Sequence, residues 1–313
     1  MNITEYDHTP VLLNEVLQGL KVSPGGFYVD CTFGRGGHSR AILRHLSEQG
    51  RLVAIDKDPD AIAAANDEMR NDPRITLLHG PYTMLKKLIE AHKMLGQVDG
   101  ILFDLGVSSP QLDDPTRGFS IQKDCMLDMR MDNTRGMTAA EWLSSAREAE
   151  ITEVLQRYGE ERYARRIARA IIRKRSEKPF RTTQQLAQLV SEAVPTREKD
   201  KHPATRTFQA IRIFLNNELD ELSITLKQTI DVLKIGGRLV VISFHSLEDR
   251  LVKRFMRNES RGDKFPPEIP VTHELITPRL KIIDKPIYPS EKEISENPRA
   301  RSAVMRIAER VRG

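Results

Sequence analysis

The chain has 313 residues, 39% of them hydrophobic and 30% charged, with a net charge of +5. That length exceeds the size at which one core usually stops growing, so one main domain with an insertion or appendage is expected. The mild positive charge fits a polyanionic partner, and no apolar run approaches the length that spans a bilayer, which excludes a helical membrane protein.

Residues 1–20 carry Glu5, Asp7 and Glu15 and no long apolar core, so no secretory leader is expected. The two cysteines, Cys31 and Cys125, form no disulfide pattern and fit a reducing cytoplasm. No internal repeat or low-complexity segment is present.

Thr9-Pro10 reads as an N-cap followed by proline at the first helical position, with Val11, Leu12, Val16 and Leu20 recurring near helical spacing. Phe27-Tyr28-Val29 reads as a buried strand ending at Asp30. The turn Cys31-Thr-Phe-Gly-Arg-Gly-Gly-His38 follows, and Ser39-Arg-Ala-Ile-Leu43 opens a helix. Strand, glycine turn and helix together predict a nucleotide-type site. Glycines admit a close backbone approach, and the helix start offers unpaired N–H groups. Ser39 stands where the dinucleotide fingerprint has its third glycine, so the fit to NAD is imperfect.

Arg51-Leu-Val-Ala-Ile-Asp56 is a second strand ending in a carboxylate. Asp56 lies at the separation from the glycine turn at which an acid reaches the two hydroxyls of a ribose. Asp58-Pro59 caps a helix through 61–65, and Arg74 to His79 is a third strand. Tyr82, just past it, either stacks on an adenine or starts the next helix as a packing residue. Val98 to Gly106 is the fourth strand, which implies a parallel, doubly wound sheet with Asp30, Asp56 and Asp104 on one rim.

Residues 104–120 form a long polar loop of the kind that carries function at a rim. Leu127-Asp-Met-Arg-Met-Asp132 is either a short strand or part of a lid. From Thr138 to about Phe214 the pattern is helical, opened by a Thr138–Glu141 capping box. There Tyr163, Ile167, Ala170 and Ile171 form an apolar face, with Arg162, Arg166, Arg169 and Arg173 as a basic stripe beside it. Between Arg157 and Arg181 ten Lys/Arg face three acids, which points to phosphates. The segment from Lys199 to Arg212, with Lys201 and Arg206, continues the basic theme. Gly236 to Phe244 resumes the sheet between helices over 217–233 and 246–256, and 301–308 fits a final strand. The stretch 260–297 carries no assignable pattern.

Seven segments resemble one family. They are His8-Thr-Pro-Val-Leu-Leu, Thr32-Phe-Gly-Arg-Gly-Gly-His-Ser39, Asp104-Leu-Gly-Val-Ser-Ser-Pro-Gln-Leu112, Arg117-Gly-Phe-Ser, Leu127-Asp-Met-Arg-Met-Asp132, Ser243-Phe-His-Ser-Leu-Glu-Asp249 and Asn297-Pro-Arg-Ala-Arg-Ser302. They resemble the bacterial ribosomal RNA small subunit methyltransferase H family. The resemblance implies a class I fold dependent on S-adenosylmethionine (AdoMet), Rossmann-like with a doubly wound, mostly parallel sheet. It further implies a methyltransferase domain over 1–135 and 215–313 and an inserted all-helical, RNA-recognising domain over 136–214. The implied reaction is N4-methylation of a cytosine in the decoding (P-site) region of 16S ribosomal RNA, on the 30S particle. The cofactor would be held by the positions of Gly36, Gly37, His38, Asp56, Tyr82, Asp104 and Gln111, with Gly34 in the same turn. The family often has Phe where Tyr82 stands, and an aromatic face survives that change.

The amine of cytosine is a poor nucleophile and needs orientation and a hydrogen-bond acceptor. This chain lacks the Asp/Asn-Pro-Pro-aromatic turn of many amino-methyltransferases. Asp104 is the candidate acceptor, although the family places it on the cofactor, and Ser108 and Ser109 are weaker candidates. Two rival readings are a nicotinamide-dependent dehydrogenase and a non-catalytic ribosome assembly factor. His38, His79, His202 and His245 show no ligand spacing, so no metal is expected. Monomer and homodimer both stay open.

Overall fold

The computed structural model describes residues 10–196, 202–262 and 277–312. The chain forms two compact units, Met1–Gly106 with Leu219–Gly313, and Val107–Glu218. That division takes residues 107–135 into the helical unit, where the sequence analysis assigned them to the sheet domain.

The first unit is built on seven strands: β1 (Phe27–Asp30), β2 (Arg51–Asp56), β3 (Ile75–His79), β4 (Val98–Asp104), β5 (Leu233–Ser243), β6 (Leu280–Ile287) and β7 (Val304–Arg310). Their order is β3-β2-β1-β4-β5-β7-β6. The first five run parallel, and β7 runs antiparallel to both β5 and β6. This is the class I, Rossmann-like sheet. Helices cover both faces, so the central strands are apolar on both sides. Val29, Ile101, Phe103 and Val241 pack to one side, and Tyr28, Leu102, Val240 and Ile242 to the other.

Two elements differ from the sequence expectation. The first helix runs Leu13–Leu20 and begins after Pro10, with Leu12 left-handed at φ 55°. The Leu12 N–H donates to Glu293 Oε1 at 2.7 Å, so a tertiary bond sets the helix start. Thr9 lies outside the described residues. The other difference is β6, in a stretch that carried no assignable pattern. Its pairing with β7 shifts register between Ile283 and Ile287, around the left-handed Asp284 and around Pro286. It is an edge strand, the place where a bulge and a proline are tolerated.

The second unit is helical: Ser109–Asp113, Ala139–Ser145, Glu148–Gly159, Ala164–Glu177, Thr183–Ala193 and Thr205–Leu215. The Thr138–Glu141 capping box forms as expected. Residues 127–132 are irregular, anchored by the Ala139 N–H on Asp128 O and by an Asp128–Arg130 ion pair at 2.7 Å. Trp142 and Tyr158 pack on Phe214 inside the unit, with ring centres 5.1 and 6.3 Å away.

Candidate cofactor site and basic helix

Asp56, Asp30 and Asp104 end the adjacent strands β2, β1 and β4. The three carboxylates differ in what they hold. Asp30 is fully buried, accepting from the Thr32 N–H at 3.1 Å and the Ser39 hydroxyl at 2.7 Å. Burial pushes its pKa up, and the Ser39 bond and His38 pull it back. It therefore ties the glycine turn to the helix that follows. Thr32 completes the brace, because its hydroxyl oxygen accepts the Asp104 N–H at 2.7 Å and so joins the tips of β1 and β4.

Asp56 holds the other end of the turn. Its Oδ2 accepts the Gly34 N–H at 2.7 Å, and its Oδ1 accepts the Asp58 N–H at 2.8 Å. Burial raises its pKa to about 6, against the lowering effect of the Asp58 and Gly34 N–H groups. Each oxygen keeps a further lone pair for a ligand hydroxyl.

The glycines divide the work. Gly34 and Gly36 both have positive φ, 55° and 72°. A Cβ on Gly36 would meet the Phe33 ring at 2.8 Å, and one on Gly37 would meet Pro10 at 2.4 Å. These two are therefore required by the protein's own packing. A Cβ on Gly34 would approach only Thr32 O, at 4.0 Å, so Gly34 is the glycine whose outer side is open.

His38 is the second residue of the helix Gly37–His45 and is 6% exposed. Its Nε2 lies 3.5 Å from Asp104 Oδ2, too far for a good hydrogen bond. Among the described residues, both its ring nitrogens and Asp104 Oδ1 are buried without a partner. Such atoms cost roughly 1–3 kcal/mol each when left unmade, so this cluster is arranged for a polar ligand. Tyr82 begins a short turn after β3 and meets Phe103 edge-on, with centroids 5.6 Å apart. The neighbouring Gly80 N–H donates to Asp56 O at 2.8 Å.

The structure thus gathers Gly34, Gly36, Gly37, His38, Asp56 and Asp104 on the tips of β1, β2 and β4. Ser108, Ser109 and Gln111 belong to the helical unit. There Gln111 is buried, and its Oε1 accepts the Ser108 N–H at 2.9 Å, capping the start of the short helix Ser109–Asp113. Sequence reasoning did not assign the roles of Thr32 and Ser39. Their signal was a hydroxyl on each side of the glycines, within reach of Asp30.

The profile of the MraW methylase family matches residues 5–311. The chain belongs to the MraW methylase family. AdoMet is the cofactor of this methylase. Solved structures are also similar, at low identity. An rRNA methylase from Streptococcus thermophilus is 10% identical, with 97% of this chain and 99% of that chain covered and a TM-score of 0.44. A SAM-dependent O-methyltransferase from Thermotoga maritima is 10% identical over 96% of this chain and 65% of that one, with a TM-score of 0.42. Aeropyrum pernix fibrillarin, solved with natively bound S-adenosyl-L-methionine, is 10% identical over 94% and 74%, with a TM-score of 0.40. These three likenesses are too weak to carry weight, and the assignment rests on the family match.

In the helical unit of this methylase, the helix Ala164–Glu177 buries Ala164, Ile167, Ala168 and Ile171. Ala168 takes the place expected for Ala170. Arg162, Arg166, Arg169 and Arg173 are all exposed. Arg169 pairs with Glu148 at 3.1 Å on the surface, where such pairs are worth little. Arg206 is half-buried and donates to Glu160 O at 3.2 Å, so it stands apart from the exposed arginines. Lys201 lies outside the described residues. No helix among the described residues is long and apolar enough to cross a membrane.

Proposed function

We propose that this methylase transfers the methyl group of AdoMet to the N4 amine of a cytosine in the decoding region of small-subunit ribosomal RNA. The observation that supports the cofactor side of this reading is the cluster of buried atoms on His38 and Asp104 without a partner among the described residues, beside an oriented Asp56 carboxylate. The cytosine and the decoding region follow from the family resemblance. Asp56 suits a ribose diol. His38 and Asp104 suit the polar groups nearer the sulfur. Gly34, Gly36 and Gly37 shape the turn, Tyr82 offers a ring, and Gln111 is assigned to the cofactor by the family resemblance.

When bound, the cofactor supplies a methyl carbon on a cationic sulfur, and that sulfur keeps the bonding pair as the methyl leaves. The chain must orient the cytosine amine in line with that bond and accept a hydrogen bond from it, which localises the nitrogen lone pair. The proton lost from the amine goes to a nearby carboxylate or to water. Asp104 is the first candidate for that acceptor, although the family resemblance places it on the cofactor, with Ser108 and Ser109 as alternatives.

The helix Ala164–Glu177 carries Arg166, Arg169 and Arg173, with Arg162 in the turn just before it, and this exposed basic group suits RNA phosphates; the helical unit is the proposed RNA-recognition domain, with Lys201 and Arg206 secondary. The proposed setting is the cytoplasm, with the 30S particle as partner. Neither the dehydrogenase reading nor the assembly-factor reading is favoured. The chain belongs to a methylase family, and its turn and rim acids are intact.

The test is incubation with methyl-labelled AdoMet and, separately, small-subunit particles, large-subunit particles and DNA. Label confined to small-subunit RNA is the expected result. Label on large-subunit RNA or DNA alone would overturn the substrate assignment.

A further inference from the structure

Phe244 belongs to a motif noted in the sequence but given no role in the site above. It follows the last residue of β5, the strand next to β4. The parallel register pairs Asp104 with Ile242, so Phe244 lies two residues beyond Asp104's partner. Side chains two apart share a face. Phe244 packs on the same side as Leu102 and Ile242, which is also the side of Asp104. A Cβ built on Gly106, in the turn after β4, would lie 3.7 Å from the Phe244 ring. The ring therefore flanks the turn that follows Asp104.

Its backbone is held firmly. The Phe244 N–H donates to Glu248 Oε2 at 2.8 Å, the His245 N–H donates to the same oxygen at 3.3 Å, and the Glu248 N–H donates back to His245 Nδ1 at 3.4 Å. Glu248 is buried, and this reciprocal cap starts the sixteen-residue helix Ser246–Arg261. The ring itself is only half-buried. The other aromatics of the rim do other jobs: Phe33 and Phe103 are buried, and Tyr82 lies beyond β3.

We propose that Phe244 is the face on which the target base stacks. This rests on the methyl-transfer reading above. A base presented to a rim site gives up its neighbours in the strand, and an aromatic face restores part of that contact. Many amino-methyltransferases supply the ring from the turn after the fourth strand. Here that turn reads Asp104-Leu-Gly-Val, and Leu105 is buried. The ring comes instead from the tip of β5, and Gly106 leaves the space beside it clear.

The test is steady-state methyl transfer to unmodified small-subunit particles by wild type, Phe244→Leu, Phe244→Tyr and the control Tyr288→Ala. Tyr288 is exposed and follows β6, which β7 separates from β5. Phe244→Leu should lower kcat/KM for particles by about 5- to 150-fold, the stacking range for one base. AdoMet affinity by calorimetry should change less than about twofold, which also shows that the variant is folded. Phe244→Tyr should restore most of the loss, and Tyr288→Ala should behave as wild type. Wild-type transfer with an unaffected Leu variant would overturn the inference alone. So would equal loss of AdoMet binding in Phe244→Leu, or failure of Phe244→Tyr to recover activity. No transfer by wild type would remove the function and this inference together.

Discussion

Replacing Asp56 with alanine tests the cofactor site at its best-defined point. In the free protein each Asp56 oxygen already accepts one backbone N–H, from Gly34 and from Asp58. Those bonds fix the carboxylate plane and leave a lone pair on each oxygen for a ribose hydroxyl. Hydrogen bonds to a charged group are worth about 1.5–3 kcal/mol, so Asp56→Ala should weaken AdoMet by about 10- to 150-fold. The pH dependence gives a second handle. Burial holds the Asp56 pKa at about 6, above its unfolded value. Between about pH 4 and 6 the folded chain keeps a proton that the unfolded chain releases, so this group costs stability as pH rises through that window. A diol donates best to the charged carboxylate, so the bound protein should have the lower pKa. Affinity should then be flat above pH 6 and fall by up to tenfold per unit below it, by linkage. Calorimetry of wild type and Asp56→Asn from pH 5 to 8 checks this. The Asn variant should bind weakly with no such pH slope. Equal wild-type affinity at pH 5 and pH 8, or an Asp56→Ala variant within twofold of wild type, would refute the assigned role.

Three further expectations follow from the same geometry. Thr32→Val leaves the Asp104 N–H without its acceptor and should cost about 1–3 kcal/mol in chemical denaturation, whereas Thr32→Ser should restore most of it. Asp104→Asn separates two jobs. If the residue mainly assists the amine, the rate at saturating AdoMet should fall by about 10²–10⁴-fold. If it mainly holds the cofactor, affinity falls first and saturation recovers the rate, which is the outcome the family resemblance favours. Changing Arg162 and Arg166 to Glu should weaken RNA binding and flatten its salt dependence while leaving AdoMet affinity unchanged. An unaltered salt slope would make those exposed arginines an ordinary solvated face.

The central parallel strands were legible because they are buried on both faces. Apolar runs such as Leu52-Val-Ala-Ile55, with β1, β2 and β4 each ending in an acid, announce strands and a rim together. The antiparallel edge was not. β6 reads Leu280-Lys-Ile-Ile-Asp-Lys-Pro-Ile287, and its proline and charges belong to an edge that a bulge interrupts. The first helix misled for a different reason: Pro10 suggests a start at that residue, while the helix begins at Leu13 behind a Leu12 N–H held by Glu293, far away in the chain. At the site, Asp56 and the glycines were readable from spacing. The separate jobs of the three acids were not, because they depend on which N–H groups fold onto each carboxylate. Asp30 and Asp56 look alike in sequence, yet one is enclosed by Thr32 and Ser39 and the other keeps lone pairs free.

The most direct test of the account is the chemical identity of the product. Small-subunit particles incubated with the protein and methyl-labelled AdoMet should yield RNA whose digested nucleosides carry the label as N4-methylcytidine, from one position in the decoding region. Label recovered on a ribose hydroxyl, on a ring carbon or on another base would contradict the proposed chemistry.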